Sequence, residues 1–183
     1  AKIPLVIVMK FKNVLLASDF DGTLKNDEGI ITPDVIEKIK YFISEGGYFT
    51  VCTGRIHQGF HLYDPEYINA PVLLGNGAMS YDYEKNKIIF NEAIGDEGIK
   101  AFEAVLTKYP TVAFELYNFD KVCSININEK SKRHFTSQSI PFEQVKHVTD
   151  APRPWTKVMI LANEFSKEIQ DFLESYPEVN FLR

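Results

Sequence analysis

A strand, a helix and a second strand follow one another near the start of the chain, and this order constrains the fold more than any other feature. Residues 13–18 (NVLLAS) form a short apolar run, which is typical of a strand covered on both faces. The helix is predicted over 33–45, and the glycines that follow it end the helix. The second strand is predicted over 48–53. A unit of this kind predicts a parallel sheet with a right-handed crossover.

Further along the chain, the predicted elements change from alternating strands and helices to hairpins and helices. A helix is predicted over 55–63, and PVLLGN (71–76) is predicted as a third core strand. The later elements are a hairpin at 79–93, helices at 96–109, 129–138 and 164–176, and strands at 111–117, 121–127, 155–162 and 178–183. Such a succession is typical of an α+β module. We therefore predict a partial, doubly wound α/β domain over 1–84 and an α+β domain over 85–183.

The composition argues against several functions. With a net charge of -5 the chain has no basic stripe with which to bind nucleic acid or an anionic membrane surface. Cys52 and Cys123 lie far apart and outside any CxxC pattern, so neither a disulfide framework nor a zinc site is expected, and a cytoplasmic location is predicted. The apolar run at the start is too short to span a membrane. Residues 1–8 are either an extension upstream of a natural start or an extra edge strand.

Polar residues and glycines follow each of the three predicted core strands. Asp19 follows the first strand, Thr53-Gly54-Arg55 the second and Gly75-Asn76-Gly77 the third. In a parallel sheet, ligands bind beyond the carboxyl ends of the strands, where these three segments meet. The sequence therefore predicts a binding site at this edge of the sheet.

Asp19 and Asp21 place two carboxylates at positions i and i+2, with Phe20 turned away between them. Two such carboxylates either share a proton or bind a hard cation such as Mg²⁺. The alternative is a polar turn at the end of a strand, in which Gly22 permits the tight bend. Folding alone gives little reason to place two negative charges at a strand end, so a ligand site is favoured.

These residues resemble a known family. The segment SDFDGTL is similar to motif I of the haloacid dehalogenase-like (HAD) phosphatases, and VCTGR is similar to their motif II. The segment LLGNGAMSYD resembles the corresponding part of the Cof-type subfamily, whose members carry an inserted α+β cap of type IIB. The resemblance covers nearly the whole chain. It implies a Rossmann-like HAD core followed by a cap.

The resemblance also implies roles for individual residues. Asp19 would be the nucleophile that forms an aspartyl phosphate, and Asp21 the general acid and base. Mg²⁺ would bind the Asp19 carboxylate and the main-chain carbonyl of Asp21. Thr53 and the N–H of Gly54 would bind the phosphoryl group, with Arg55 and Asn76 as further neighbours of the substrate. Thr53 is also a candidate N-cap of the next helix, and the two roles are compatible.

Two parts of the family's site have no clear counterpart in this sequence. These are a lysine (motif III) and an acidic loop (motif IV), which the family places after the cap. Asp96 is better explained as a helix cap, Lys157 lies in a predicted cap strand, and His57 and His61 are interpreted as a solvated helix face. We therefore predict that the chain is a fragment of a longer protein. The alternative is self-association, which would cover a three-stranded half-sheet with an open edge.

The predicted function is a Mg²⁺-dependent phosphatase that hydrolyses small phosphorylated metabolites similar to sugar phosphates. The aromatic residues Phe114, Tyr117 and Trp155 of the cap are predicted to close over the site. Two alternatives stay open: a non-catalytic, truncated module that binds metal, phosphate or another protein, and a phosphomutase. No nucleic-acid or membrane partner is expected.

Overall fold

The chain forms two compact units. The structure is a computed structural model that describes residues 9–162, 164–177 and 179. The first unit comprises the described residues of Ala1–Arg55 together with His61–Asn91, and the second comprises Ile56–Phe60 together with the described residues of Glu92–Arg183. Strand residues 87–91 belong to the first unit, although they follow the predicted domain boundary at residue 84. The assignment of the two units as core and cap stays a prediction.

The first unit contains the predicted strand–helix–strand order. Its elements are β1 (Leu15–Asp19), α1 (Pro33–Ser44), β2 (Tyr48–Cys52), β3 (Val72–Leu74), β4 (Met79–Asp82) and β5 (Lys87–Asn91). The sheet order is β1-β2-β3-β4-β5, in which β1, β2 and β3 are parallel and β4 and β5 are antiparallel to their neighbours. The predicted α/β class with a parallel sheet is therefore confirmed.

Two predictions about this unit are wrong. The sheet of the described residues has five strands rather than three, because the hairpin of β4 and β5 continues it beyond β3. In addition, β1 is not covered on both faces: it lies at one edge of the sheet, and Val14, Leu15 and Leu16 are exposed. An apolar run does not reveal whether the elements that would cover its two faces are present, although an open edge of the sheet was expected.

The predicted helix over 55–63 is also wrong, because only His57–Gly59 form a short 3-10 turn. Packing within the second unit explains the difference. Ile56 is buried against Tyr117 and Phe135, and the Gln58 amide donates to the carbonyl of Asn118 at 3.0 Å. The ring of His57 lies 4.6 Å from that of Phe119, whereas His61 is exposed. These tertiary contacts hold residues 56–60 in an irregular conformation and outweigh any local preference for a helix.

The described residues of the second unit form a four-stranded sheet and three α-helices. Its elements are α2 (Asp96–Lys108), β6 (Ala113–Tyr117), β7 (Val122–Ile125), α3 (Glu129–Ser137), β8 (Glu143–Gln144), β9 (Lys157–Leu161) and α4 (Ser166–Leu173). The strand order is β8-β7-β6-β9. The short strand β8 is not apparent in the sequence pattern. The predicted strand over 178–183 and the alternatives for residues 1–8 lie outside the described residues.

The two faces of β6 differ in chemistry. Phe114 and Leu116 belong to the apolar cluster that also contains Val105 of α2 and Ile169 of α4. Glu115 alternates with them along the strand and is fully buried. One oxygen of its carboxylate accepts hydrogen bonds from the Tyr117 hydroxyl and, over 2.7 Å, from Nδ1 of His134 on α3. A carboxylate-centred polar cluster therefore lies opposite the apolar core.

The burial of three aromatic side chains corrects a further prediction. Phe114, Tyr117 and Trp155 are each at most 1% exposed. They are core residues of the second unit and are not available to close over a substrate. Within the described part of the chain, no helix has the length and apolar character needed to cross a bilayer.

Candidate active site

The carboxyl ends of three parallel strands lie at one edge of the first sheet. Asp19, the last residue of β1, is the register partner of Cys52 at the end of β2, and Cys52 is in turn the partner of Leu73 in β3. Because parallel strands run in the same direction, the loops that follow them emerge side by side. All six predicted site residues lie in these loops or at these strand ends, so the structure brings them together in the first unit.

A tight turn after β1 orients Asp19. Gly22 has a φ of +76°, a left-handed conformation that glycine adopts without steric cost. The turn brings the Thr23 hydroxyl to Oδ2 of Asp19, to which it donates over 3.2 Å, and the N–H of Leu24 to the Asp19 carbonyl. Phe20 is fully buried beneath the turn, whereas Asp19 is exposed. The buried ring thus anchors a turn whose first carboxylate faces solvent.

Asp21 forms a two-point ion pair with Arg55 from the loop after β2. Nε of Arg55 donates to one carboxylate oxygen at 2.7 Å and Nη2 donates to the other at 2.8 Å. The guanidinium also lies over the ring of Phe20, 5.3 Å from its centroid. Lys25 adds a second cation at 3.9 Å from Asp21. Such two-point pairing fixes the orientation of both groups more tightly than a single contact would.

Backbone hydrogen bonds connect the loops after β2 and β3. The Thr53 N–H donates to the Leu73 carbonyl, and the Asn76 N–H donates to the Thr53 carbonyl. The Thr53 hydroxyl accepts from the N–H of Arg55 at 3.1 Å, which is a local turn contact rather than the predicted N-cap of a long helix. Gly54 lies so close to Asn76 that a Cβ there would meet its Oδ1 at 2.7 Å. Glycine at position 54 therefore lets the Asn76 side chain approach the loop.

The thiol of Cys52 is a further candidate nucleophile near Asp19. Burial raises the pKa of its thiol, and the negative charge of Asp19 adds to that effect. The thiol therefore stays protonated near neutral pH, where the thiolate would be the reactive form. Between these two groups, the exposed carboxylate of Asp19 is the better nucleophile.

The donor set can be compared with the needs of Mg²⁺. This ion takes oxygen ligands, keeps several waters and is commonly held by only one or two carboxylates. The Asp19 carboxylate and the Asp21 main-chain carbonyl are oxygen donors of the right kind, whereas the Asp21 carboxylate is engaged by Arg55. No cluster of three or more His, Cys, Asp and Glu side chains suited to a metal occurs in the described ranges. The residues therefore fit part of a magnesium coordination shell.

Comparison with known proteins decides the family. The family model described as haloacid dehalogenase-like hydrolase matches residues 16–181. This chain belongs to the haloacid dehalogenase-like hydrolase family. The family predicted from SDFDGTL and VCTGR is thereby confirmed.

Individual HAD relatives agree with this assignment. A putative phosphatase of Buchnera aphidicola is 26% identical over 155 residues, which are 84% of this chain and 57% of that protein. The solved structure of a subclass IIB sugar phosphatase matches with a TM-score of 0.76 at 23% identity, over 90% of this chain and 64% of the other. A HAD-like hydrolase of Bacteroides thetaiotaomicron matches with a TM-score of 0.80 at 17% identity, over 95% and 68%. At these low identities the two solved structures support only the fold of this chain, and that fold is the predicted one.

The chain spans little more than half the length of this Buchnera relative. The activity of a whole HAD protein is therefore a proposal for this chain, as are the roles of the six residues. Sequence reasoning named Arg55 and Asn76 only as neighbours of a substrate and missed the pairing of Arg55 with Asp21. It also missed Lys25, although its position four residues after Asp21 was a usable signal.

Proposed function

We propose that this chain is the nucleophile-bearing part of a HAD phosphatase that hydrolyses small phosphorylated metabolites similar to sugar phosphates. The observation that carries this proposal is the exposed carboxylate of Asp19 at the end of β1, oriented by Thr23. Asp21 and Arg55 lie beside it as an acid and a cation. Because both cysteines are free thiols, the proposal includes a cytoplasmic location.

The proposed reaction has two steps. In the first, an oxygen of Asp19 attacks phosphorus, the bond to the leaving oxygen breaks, and Asp21 protonates that oxygen as it leaves with the bonding electron pair. In the second, Asp21 takes a proton from water as the water attacks phosphorus. The bond between Asp19 and phosphorus then breaks, which releases phosphate and regenerates the carboxylate.

Other residues of the site would bind and orient the phosphoryl group. We assign this role to the Thr53 hydroxyl, the Gly54 N–H and the Asn76 side chain, which lie in adjoining loops. The arrival of a phosphate dianion would give Arg55 a second anionic partner. One Asp21 oxygen would then be released from the guanidinium and could face the leaving oxygen.

The same site would hold Mg²⁺ through the Asp19 carboxylate and the Asp21 main-chain carbonyl. The ion would supply positive charge that offsets the repulsion between an anionic nucleophile and an anionic substrate. The second unit is proposed as the cap that selects the leaving group.

Hydrolysis of p-nitrophenyl phosphate tests this function. The chain is expected to release nitrophenol in the presence of Mg²⁺, and chelation with EDTA is expected to lower the rate at least about tenfold. Readdition of Mg²⁺ should restore the rate, whereas Ca²⁺, which is larger and prefers more ligands, should not. A rate that is the same with and without EDTA would contradict the metal assignment. The absence of any hydrolysis would contradict phosphatase activity for this chain.

Arg55→Lys is expected to lower kcat/KM for the same substrate by about 10- to 100-fold. Lysine keeps the positive charge but cannot make the two-point pair with Asp21. Lys25→Arg is the matched control, because it also exchanges two cations, but at the position that only approaches Asp21 at 3.9 Å. Steady-state kinetics on both variants would measure the difference. Equal effects of the two exchanges would contradict a specific role for the pair.

A second candidate function is binding of phosphate without turnover. It is favoured by the two-point ion pair in which Arg55 engages both carboxylate oxygens of Asp21. Calorimetric titration with inorganic phosphate, in the wild-type chain and in Thr53→Ala, would then show affinity that depends on Thr53 but no hydrolysis. A phosphomutase would instead pass the phosphoryl group from Asp19 to a second substrate, which product analysis distinguishes from release of phosphate.

A further inference from the structure

A cavity in the second unit lies outside the candidate active site. Its volume is about 420 Å³, and all of its lining residues belong to the second unit. None of the six residues assigned to the candidate active site lines it. Pockets that bind small molecules have volumes of about 300 to 1,000 Å³. This cavity is at the lower end of that range and therefore suits a small metabolite.

Two walls of the cavity carry opposite charge. Glu103 and Thr107 line it from α2, whose C-terminal end carries a partial negative charge. Lys146 lines it from the segment between β8 and β9. Among the described residues, neither the Glu103 carboxylate nor the Lys146 ammonium takes part in an ion pair. Both charges are therefore free to bind a ligand.

The basic wall also contains neutral hydrogen-bond donors. The side chain of His147 accepts a hydrogen bond from the N–H of Asp150, whose carboxylate accepts from the main-chain N–H of His147 at 3.0 Å. A neutral imidazole that accepts at one nitrogen carries its proton on the other. The ring of His147 thus has an N–H left to donate, and the hydroxyl of Thr149 lines the same cavity.

The cavity is held in shape by the fold of the second unit. The side-chain amide of Asn126 donates to the carbonyls of Pro110 at 2.6 Å and Val112 at 3.1 Å, which ties the loop between α2 and β6 to the end of β7. Ile125 and Val148 line the cavity and belong to the buried apolar core. A site that exists before the ligand arrives loses less free energy to ordering on binding.

The lining favours one class of ligand over others. The charges of Glu103 and Lys146 cancel, so the site does not favour a phosphate dianion, which would meet the Glu103 carboxylate. No Phe, Tyr or Trp is among the described residues that line the cavity, so a nucleobase would lack an aromatic ring on which to stack. An ammonium, a carboxylate and an aliphatic group in one small molecule would match all three parts of the lining.

We propose that this cavity binds an α-amino acid with an aliphatic side chain. Lys146 and the N–H of His147 bind its carboxylate, Glu103 binds its ammonium, and its side chain packs on Ile125 and Val148. The two ion pairs have opposite polarity, so together they fix the orientation of the ligand. The inference does not rest on the proposed phosphatase activity, which uses other residues.

Calorimetric titration with L-leucine tests the proposal. We expect saturable binding with a dissociation constant of about 1 mM or lower, and binding of glycine at least about tenfold weaker, because glycine has no side chain to bury. Lys146→Gln and Glu103→Gln should each raise the dissociation constant for L-leucine at least about tenfold. Lys132→Gln, on the exposed face of α3 and outside the cavity, is the matched control and should bind like the wild type.

Two analogues of leucine locate each end of the ligand. N-acetyl-L-leucine has no ammonium, so its weaker binding should not change in Glu103→Gln, and L-leucinamide has no carboxylate, so its binding should not change in Lys146→Gln. Calorimetry requires no turnover, so the result is separate from any test of hydrolysis. The lack of saturable binding of L-leucine would overturn the proposal. Binding that is unchanged in both Lys146→Gln and Glu103→Gln, or equal for glycine and L-leucine, would overturn it as well.

Discussion

Replacing Asp19 by asparagine is expected to reduce hydrolysis of p-nitrophenyl phosphate by at least about 10³-fold. Asparagine has nearly the same shape and can still accept the hydrogen bond from Thr23, so the turn after β1 should be kept. The amide, however, is a far weaker nucleophile than the carboxylate and cannot form the aspartyl phosphate. The rate should therefore fall through kcat, without a change in the fold.

Trapping of the intermediate makes this test independent of steady-state rates. Wild-type protein quenched in acid during turnover should gain the mass of one phosphoryl group on the peptide that contains Asp19, and hydroxylamine should remove it. Asp171→Asn, which removes one carboxylate from the exposed surface of α4, is the control and should behave as the wild type. Activity that survives in Asp19→Asn would exclude this residue as the nucleophile.

Replacing Glu115 by alanine is expected to lower the free energy of unfolding of the second unit by about 3–5 kcal/mol. The substitution removes the acceptor of the Tyr117 hydroxyl and of His134 Nδ1. It also removes a negative charge near Lys157, which is partly buried. Chemical denaturation would measure the loss through the fluorescence of Trp155, the single tryptophan, which is buried in the same unit.

An exposed glutamate provides the control for this substitution. Glu143 pairs with Lys121 at 3.0 Å on the surface, and Glu143→Ala should cost less than about 1 kcal/mol. Equal effects of the two substitutions would contradict a structural role for the buried cluster.

The dependence of stability on pH gives a second check on Glu115. Burial lowers the pKa of Lys157, and the charge of Glu115 opposes that shift. Below its lowered pKa, Lys157 is charged in both the folded and the unfolded chain, so partial burial of the ammonium lowers the free energy of unfolding by its full amount. Between that pKa and 10.5, the ordinary value, the folded chain loses the charge first, so the free energy of unfolding rises with pH. Without Glu115 the pKa of Lys157 falls further, so the rise in stability with pH begins at a lower pH. The deficit of Glu115→Ala relative to the wild type should therefore shrink between neutral and alkaline pH.

The parts of the fold that local patterns encode could be predicted from the sequence. The apolar run before Asp19, the helix after Thr32 and the run before Thr53 specify parallel strands, and the direction of parallel strands brings their ends together. The position of those strand ends is confirmed, whereas the roles assigned to the residues there stay predictions.

Features that depend on distant partners could not be predicted. The pair of Asp21 and Arg55 joins residues 34 positions apart, and its geometry depends on the register of β1 with β2. A helix was expected over residues 55–63, but contacts of Ile56 with Tyr117 and Phe135 and of Gln58 with Asn118 determine the conformation of this segment. Glu115 looked like any charged residue of a strand, because burial is a property of the packed sheet and its covering helix.

The segment Ile56–Phe60 makes the second unit discontinuous in sequence. A polypeptide excised from Glu92 onward would lack Ile56, whose side chain fills space beside Tyr117, and Gln58, which binds the carbonyls of Asn118 and Phe119. Suppose that recombination between two family members exchanges the chain at a single crossover near residue 91. The exchanged part of the second unit would then pack against residues 56–60 of the other protein. The unit is therefore inherited intact only together with five residues that follow the Thr53–Arg55 loop. Selection for stable packing inside the second unit therefore also acts on residues 56–60, which directly follow the Thr53–Arg55 loop of the candidate active site in the sequence.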